Sequence, residues 1–224
     1  KRIEDWEDAL PEDMHLAYLP DPIKGVRLRL SIYGGVREEQ ETLIEEELAK
    51  LRPILGDALY SEQDDTLQEC IGRLLAKHGK TVSAAESCTG GTISALFTAV
   101  PGSSDYYLGS VTSYANSVKT GVLGVDPKVI EEFGAVSSEC VAQMAEGVRR
   151  LTGSDFSVAT SGIAGPGGGS ETKPVGLVWI GVSSQKGTET LKMVFRGDRK
   201  RNMERFAASA LDTLRKKLIN ELTD

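Results

Sequence analysis

Between Val26 and Ile32 apolar and polar residues alternate, with Val26, Leu28, Leu30 and Ile32 interleaved by Arg27, Arg29 and Ser31. A period of two predicts a half-buried strand, and Gly34–Gly35 ends it. The spacing then lengthens. Leu43, Ile44, Leu48 and Leu51 recur at helical intervals, which predicts an amphipathic helix over Glu38–Leu55 with its end weakened by Pro53. Together with the short runs Ala17–Leu19 and Leu59–Tyr60, these elements predict a small α+β module. Residues 1–22 are acidic, carry Pro11, Pro20 and Pro22, and read as a loop or the remnant of a preceding unit.

From Thr66 the pattern changes. Leu67, Ile71, Leu74 and Leu75 predict a helix ending near His78–Gly79, followed by a strand over Thr81–Ala85. Helices are predicted over Ile93–Val100, Asn116–Leu123, Pro127–Phe133, Ser138–Leu151 and Asn202–Leu222. Strands are predicted over Tyr107–Tyr114, Phe156–Thr160, Gly176–Ser183 and Glu189–Phe195. Strands alternating with helices predict an α/β layered domain, and the late adjacent strands predict that its sheet is mixed. The expected division is 1–64, an extension plus the small module, and 65–224, the layered domain.

Charge sharpens this division. Residues 1–70 hold 18 acids against 8 bases, whereas residues 71–224 hold 15 acids against 18 bases. The front part repels a nucleic-acid backbone, and the second part tolerates an anionic ligand. Tyr33–Gly34–Gly35–Val36 also lacks the flanking bases of an RNA-clamping GxxG loop, so nucleic acid is disfavoured as a partner. No apolar run has membrane-spanning length and no secretory leader is visible. Cys70, Cys88 and Cys140 are widely spaced, which predicts a reducing, cytoplasmic setting with neither a disulfide framework nor a cysteine zinc site. The start at Lys1 without Met predicts a fragment of a longer protein.

The chemistry concentrates in Thr81–Thr92, TVSAAESCTGGT. It reads as a strand, a polar corner with Ser87, Cys88 and Thr89, and a helix opened by Gly90–Gly91. Ser87 has two readings here: a helix N-cap, or a nucleophile beside backbone N–H groups. The only histidines are His15 and His78, neither placed to serve it, so a Ser–His–Asp triad is not expected. Cys88 without a histidine reads as a small buried hydrophobe. Lys119, in VTSYANSVK, is a base of adequate chemistry if desolvation lowers its pKa, and Tyr114 could hold it or relay its proton. The plainer reading of Lys119 is a surface lysine.

Two further clusters follow. Five glycines lie between Ser161 and Ser170, a composition that suits either a mobile lid or a cradle of N–H groups for phosphate. It matches neither a Walker loop nor a dinucleotide fingerprint. Arg196–Gly–Asp–Arg199, with Lys200, Arg201 and Arg205, opens the last helix, where cations oppose the helix dipole unless an anion joins them. Glu86, Asp105, Asp155 and Glu171 are too scattered to claim as a metal site.

Taken together, AESCTGG, VTSYANSVK, SGIAGPGGGSETKPVGLVW and FRGDR resemble the C-terminal domain of the CinA (competence/damage-inducible) family over about Thr66–Leu218. Residues 16–62 resemble the small linking domain that precedes it in full-length members. The family's N-terminal molybdopterin-cofactor-binding-like domain is absent from this sequence. The resemblance implies a nicotinamide mononucleotide deamidase, with Ser87 as nucleophile, Lys119 as general base and Tyr114 as the assisting tyrosine. It implies a three-layer αβα sandwich for this domain, a nucleotide substrate, a homodimer or higher oligomer, and no metal or other cofactor. Under this reading N–H groups at Thr89, Gly90 and Gly91 hold the oxyanion. The phosphate is assigned to Gly165, Gly167, Gly168 and Gly169 with Arg199, Arg201 or Arg205. The alternative is a weakly active or inactive nucleotide-binding and oligomerisation domain of a larger protein.

Overall fold

The computed structural model describes residues 2–21 and 25–223, so Lys1 and Pro22 lie outside the described residues. The chain forms two compact units, Lys1–Asp65 and Thr66–Asp224. It is an α/β fold with a mixed sheet flanked by helices, preceded in the chain by a smaller α+β module.

The smaller unit departs from expectation at its start. Residues 1–22 were expected to be a loop or the remnant of a preceding unit, with only Ala17–Leu19 joining the module. They supply helix α1 (Glu4–Asp8) and strand β1 (Met14–Asp21), which extends that short run at both ends. Strand β1 pairs antiparallel with β2 (Gly25–Ile32), Met14 opposite Ile32. A two-stranded sheet leaves each strand one free edge, where the missing N–H of Pro20 costs no ladder bond. Helix α2 (Arg37–Leu55) carries Pro53 in its last turn without breaking, and Leu59–Tyr60 adds no strand. Ile3, Trp6 and Leu51 form the centre of this core, with Leu16, Leu28, Leu30 and Leu48 packed around them.

The larger unit opens with α3 (Leu67–Lys77), whose start is fixed by a capping box. Thr66 Oγ1 accepts from the Glu69 N–H, and the Glu69 carboxylate accepts from the Thr66 N–H at 2.6 Å. Such a cap is worth about 1 kcal/mol. Strand β3 (Val82–Glu86) follows, wholly buried, then α4 (Thr92–Thr98) and β4 (Tyr107–Thr112). Three helices lead onward: α5 (Asn116–Gly121), α6 (Pro127–Phe133) and α7 (Ser138–Thr152). Strands β5 (Phe156–Gly162), β6 (Leu177–Ser184) and β7 (Gly187–Val194) precede the long closing helix α8 (Arg199–Leu222).

The sheet order is β4-β3-β5-β6-β7. Strand β3 runs parallel to both neighbours, β4 and β5, while β5–β6 and β6–β7 are antiparallel. Helix α7 packs one face, where Val141, Met144, Ala145 and Val148 meet Ala85 and Ala159. Helices α3, α4 and α8 cover the other. All three parallel strands therefore end at one edge, and the residues leaving them meet there.

Candidate functional site

Ser87 is the first residue beyond β3. Its N–H donates to the Thr160 carbonyl at 3.0 Å, which ties the corner to β5. The chain then turns through Gly90 (φ 62°) and Gly91 (φ 102°), left-handed conformations that suit residues without a Cβ. The start of α4 is not capped by Ser87. The Glu86 side chain, fully buried, does that work from the last position of β3. Its carboxylate accepts from the N–H groups of Gly91 and Ile93 at 3.0 Å and of Ser94 at 2.8 Å. The serine hydroxyl is thereby left out of the helix.

Lys119 comes to it from α5. The β3–β4 register sets Glu86 opposite Thr112, so the chains leaving both strands run side by side. The Ser113 N–H donates to the Glu86 carbonyl at 2.7 Å. Helix α5 then folds Lys119 inward until only 1% of it is exposed. Its Nζ lies 3.2 Å from Ser87 Oγ, 2.6 Å from the Ser113 carbonyl and 3.4 Å from the Tyr114 carbonyl. Burial lowers its pKa from the usual lysine value, and no carboxylate offsets that effect. In the neutral form, two N–H bonds can go to the two carbonyls, and the lone pair then faces the serine hydroxyl. After proton transfer the same two carbonyls stabilise the ammonium.

The other predicted residues sort by geometry. Burial pushes the Cys88 thiol up to about 12, so it stays protonated and un-nucleophilic. Tyr114 is 65% exposed and touches Lys119 through its carbonyl, while its hydroxyl accepts from Arg199 Nη2 at 3.2 Å. Gly90 and Gly91 do not offer free donors. The Gly90 N–H goes to the Ser87 carbonyl at 3.2 Å, and the Gly91 N–H goes to Glu86. Among the described residues the Thr89 N–H finds no acceptor, and that of Cys88 meets only its own sulfur. The Thr89 side chain is anchored elsewhere, Oγ1 to Thr160 Oγ1 at 2.8 Å.

On the far side of Ser87, the chain leaving β5 carries the glycine loop. Gly165 presents its carbonyl to Arg199 Nη1 at 2.7 Å. Gly167, Gly168 and Gly169 lie exposed beyond it. Arg199 is the one of the three assigned arginines that reaches this loop. Arg201 pairs with Asp198 at 3.7 Å, and Arg205 donates to the Arg196 carbonyl at 3.1 Å. Asn202, fully buried, steadies the loop by donating to the carbonyls of Ala164 and Gly197 at 3.0 Å. His78 ends α3 at the opposite end of β3 from Ser87, and His15 belongs to the smaller unit.

From the sequence, Glu86 was weighed only as one of four scattered acids, and Ser113, Thr160 and Asn202 were passed over. Ser113 acts at the corner through its backbone N–H and carbonyl, which carry no side-chain signal, and Thr160 through its carbonyl and through its hydroxyl on Thr89. Glu86 could have been noticed as an acid just ahead of a helix start without a suitable cap.

With this geometry in view, the comparisons with known proteins are decisive for the family. Residues 64–218 match the model of the CinA C-terminal domain. The chain belongs to the CinA family. The CinA-like protein of Cytophaga hutchinsonii is 42% identical over 216 residues, which is 96% of this chain and 51% of that protein. That of Salinibacter ruber is 45% identical over 218 residues, 97% of this chain and 52% of its own length. The chain thus spans about half the length of the curated relatives it matches. Among solved structures, the competence damage-inducible protein A of Klebsiella pneumoniae is similar at a TM-score of 0.66 and 35% identity. The similarity covers 68% of this chain and 94% of that one. The competence/damage inducible protein of Agrobacterium tumefaciens gives 0.66 and 37%, covering 67% and 92%. Among the described residues, no helix is long and apolar enough to cross a membrane.

Proposed function

We propose that the larger unit hydrolyses the carboxamide of nicotinamide mononucleotide, releasing ammonia and nicotinate mononucleotide. The observation that carries this reading is the desolvated Lys119 amine 3.2 Å from Ser87 Oγ, held by two carbonyls that leave its lone pair for the serine proton. Ser87 attacks the amide carbon as Lys119 takes its proton. The N–H groups of Thr89 and Cys88, rather than those of Gly90 and Gly91, receive the oxyanion. The ammonium of Lys119 returns its proton to the departing nitrogen, and ammonia leaves. Water then attacks the acyl-serine with Lys119 again as base, which frees the carboxylate and restores the hydroxyl.

The test is ammonia release from nicotinamide mononucleotide by the full chain and by Ser87→Ala, with binding of the same compound measured beside it. Release by the parent, and its loss in a variant that still binds, is the expected pattern. Undiminished release from Ser87→Ala sinks the mechanism. A rival reading, a nucleotide-binding and oligomerisation domain without turnover, draws on the chain's being about half its relatives' length. Binding without ammonia release from the parent would favour it.

A further inference from the structure

Ser87 leaves the strand that lies between β4 and β5. The chain leaving β4 carries Tyr114, and the chain leaving β5 carries Gly165. One side chain joins these two flanking segments. Arg199, the first residue of α8, donates through Nη1 to the Gly165 carbonyl at 2.7 Å and through Nη2 to the Tyr114 hydroxyl at 3.2 Å. Neighbouring strands are about 4.8 Å apart, so a link between the extensions of β4 and β5 spans roughly 10 Å across the line of β3. The guanidinium therefore bridges the mouth of the Ser87 corner.

Its charge has an unusual setting. Both acceptors are neutral, and no carboxylate pairs with Arg199 among the described residues. The nearest acid in sequence, Asp198, is engaged by the backbone and side chain of Arg201. A guanidinium has five N–H donors, and two neutral bonds leave three for an anion. Tyr114 gains little from its position otherwise, because its ring is largely exposed and its hydroxyl is turned to Arg199 rather than to Lys119.

Resting on the deamidase reading, we infer that Tyr114 is a positioning residue for Arg199. The tyrosine hydroxyl and the Gly165 carbonyl aim the guanidinium at the phosphate monoester of the substrate, so Tyr114 sets preference for a phosphorylated over an unphosphorylated nucleoside. It takes no part as a proton relay. Its carbonyl, which any residue would supply, is what reaches Lys119.

The experiment compares nicotinamide mononucleotide with nicotinamide riboside, which differs by the phosphate alone. Parent, Tyr114→Phe, Arg199→Gln and the double variant are assayed for ammonia release and, by calorimetry, for binding of both compounds. Tyr114→Phe should lower the nucleotide-over-riboside preference about 5- to 10-fold, through KM rather than turnover. Arg199→Gln should remove more of that preference, and the double variant should be no worse than Arg199→Gln alone, since the tyrosine acts through the arginine. If Tyr114→Phe instead slowed turnover of both substrates by about 100-fold or more, the tyrosine would be a proton relay and the inference would be overturned. Additive losses in the double variant would overturn it too. The binding arm keeps the two readings apart. A parent that binds the nucleotide without releasing ammonia refutes the deamidase, whereas equal phosphate preference in parent and Tyr114→Phe refutes the bridge.

Discussion

Replacing Lys119 by Met tests the catalytic proposal and its physical basis together. Loss of a general base costs about 10²- to 10⁴-fold in rate, so ammonia release should fall by at least that much. Stability carries the more searching signal. In the unfolded chain the lysine keeps its proton up to its ordinary value of 10.5, while burial lowers the value in the folded protein. Between the two values the unfolded state holds one more proton, so parent stability rises with pH, by at most about 1.4 kcal/mol per unit. Below the folded value both states are protonated, above 10.5 neither is, and the slope vanishes in both regions. Methionine titrates nothing. It also strands the Ser113 carbonyl that Lys119 Nζ holds at 2.6 Å, a cost of about 1–3 kcal/mol that does not vary with pH. The difference in slope is therefore diagnostic where the absolute difference is not. Urea unfolding from pH 6 to about 10.5 would be followed by fluorescence in a Trp6→Phe background, which leaves Trp179 to report on the unit that holds the site. The parent should gain on the variant as pH rises. Parallel curves would mean that folding leaves the lysine at its ordinary pKa, and the base role at neutral pH would fall with that result.

Two more predictions concern what holds the site's scaffold. Gly147→Ala should destabilise the larger unit by roughly 1–3 kcal/mol despite alanine's better helix propensity, because the new Cβ would stand 2.0 Å from the Leu123 carbonyl oxygen; an unchanged melting temperature would contradict it. Asp155→Asn should lose stability at neutral pH and converge with the parent in acid. Burial pushes the Asp155 carboxyl up, but bonds from Lys80 Nζ at 3.1 Å and the Thr81 N–H at 3.0 Å outweigh it and hold the group below its ordinary 3.8. Its contribution is thus complete above that value and lost as pH falls through the lowered one, a small effect because Lys80 is partly exposed. Acid-unfolding midpoints of the two proteins would check it.

The elements of the larger unit were legible because each is long enough for its period and most helices carry their own stop and start residues. Pro127–Phe133 is found where the pattern set it. The smaller unit was less so. Apolar residues run through Leu16–Leu19 without strict alternation, and acids and prolines on both sides masked all but Ala17–Leu19 of a strand that needs only one paired edge. Helix α1 is too short to show a period, so Trp6 was not recognisable as core. At the site, the residue types were readable and their meeting was not. Lys119 lies 32 positions from Ser87, and only the parallel β3–β4 register brings the two exits together. The glycines misled for a physical reason. Gly90 and Gly91 are required by positive φ angles, and the same turn spends their N–H groups on Ser87 and Glu86.

The topology explains why a serine at this corner has the neighbours it has. From β3 the chain crosses by α4 on one face to β4. From β4 it returns by α5, α6 and α7, with α7 packed on the other face, and passes β3 to reach β5. Connections leaving in opposite directions open a crevice beyond the carboxyl ends of the strands at the point of reversal. In this sheet the reversal falls on β3. Lys119, delivered by the β4 exit, and the glycine loop, delivered by the β5 exit, then flank Ser87 at the end of the strand between them. Glu86 completes the arrangement, since a buried acid at the last position of β3 consumes the donors of α4 that would otherwise compete for the Ser87 hydroxyl. What distinguishes this serine from the many that merely cap helices is that another residue has already taken the cap.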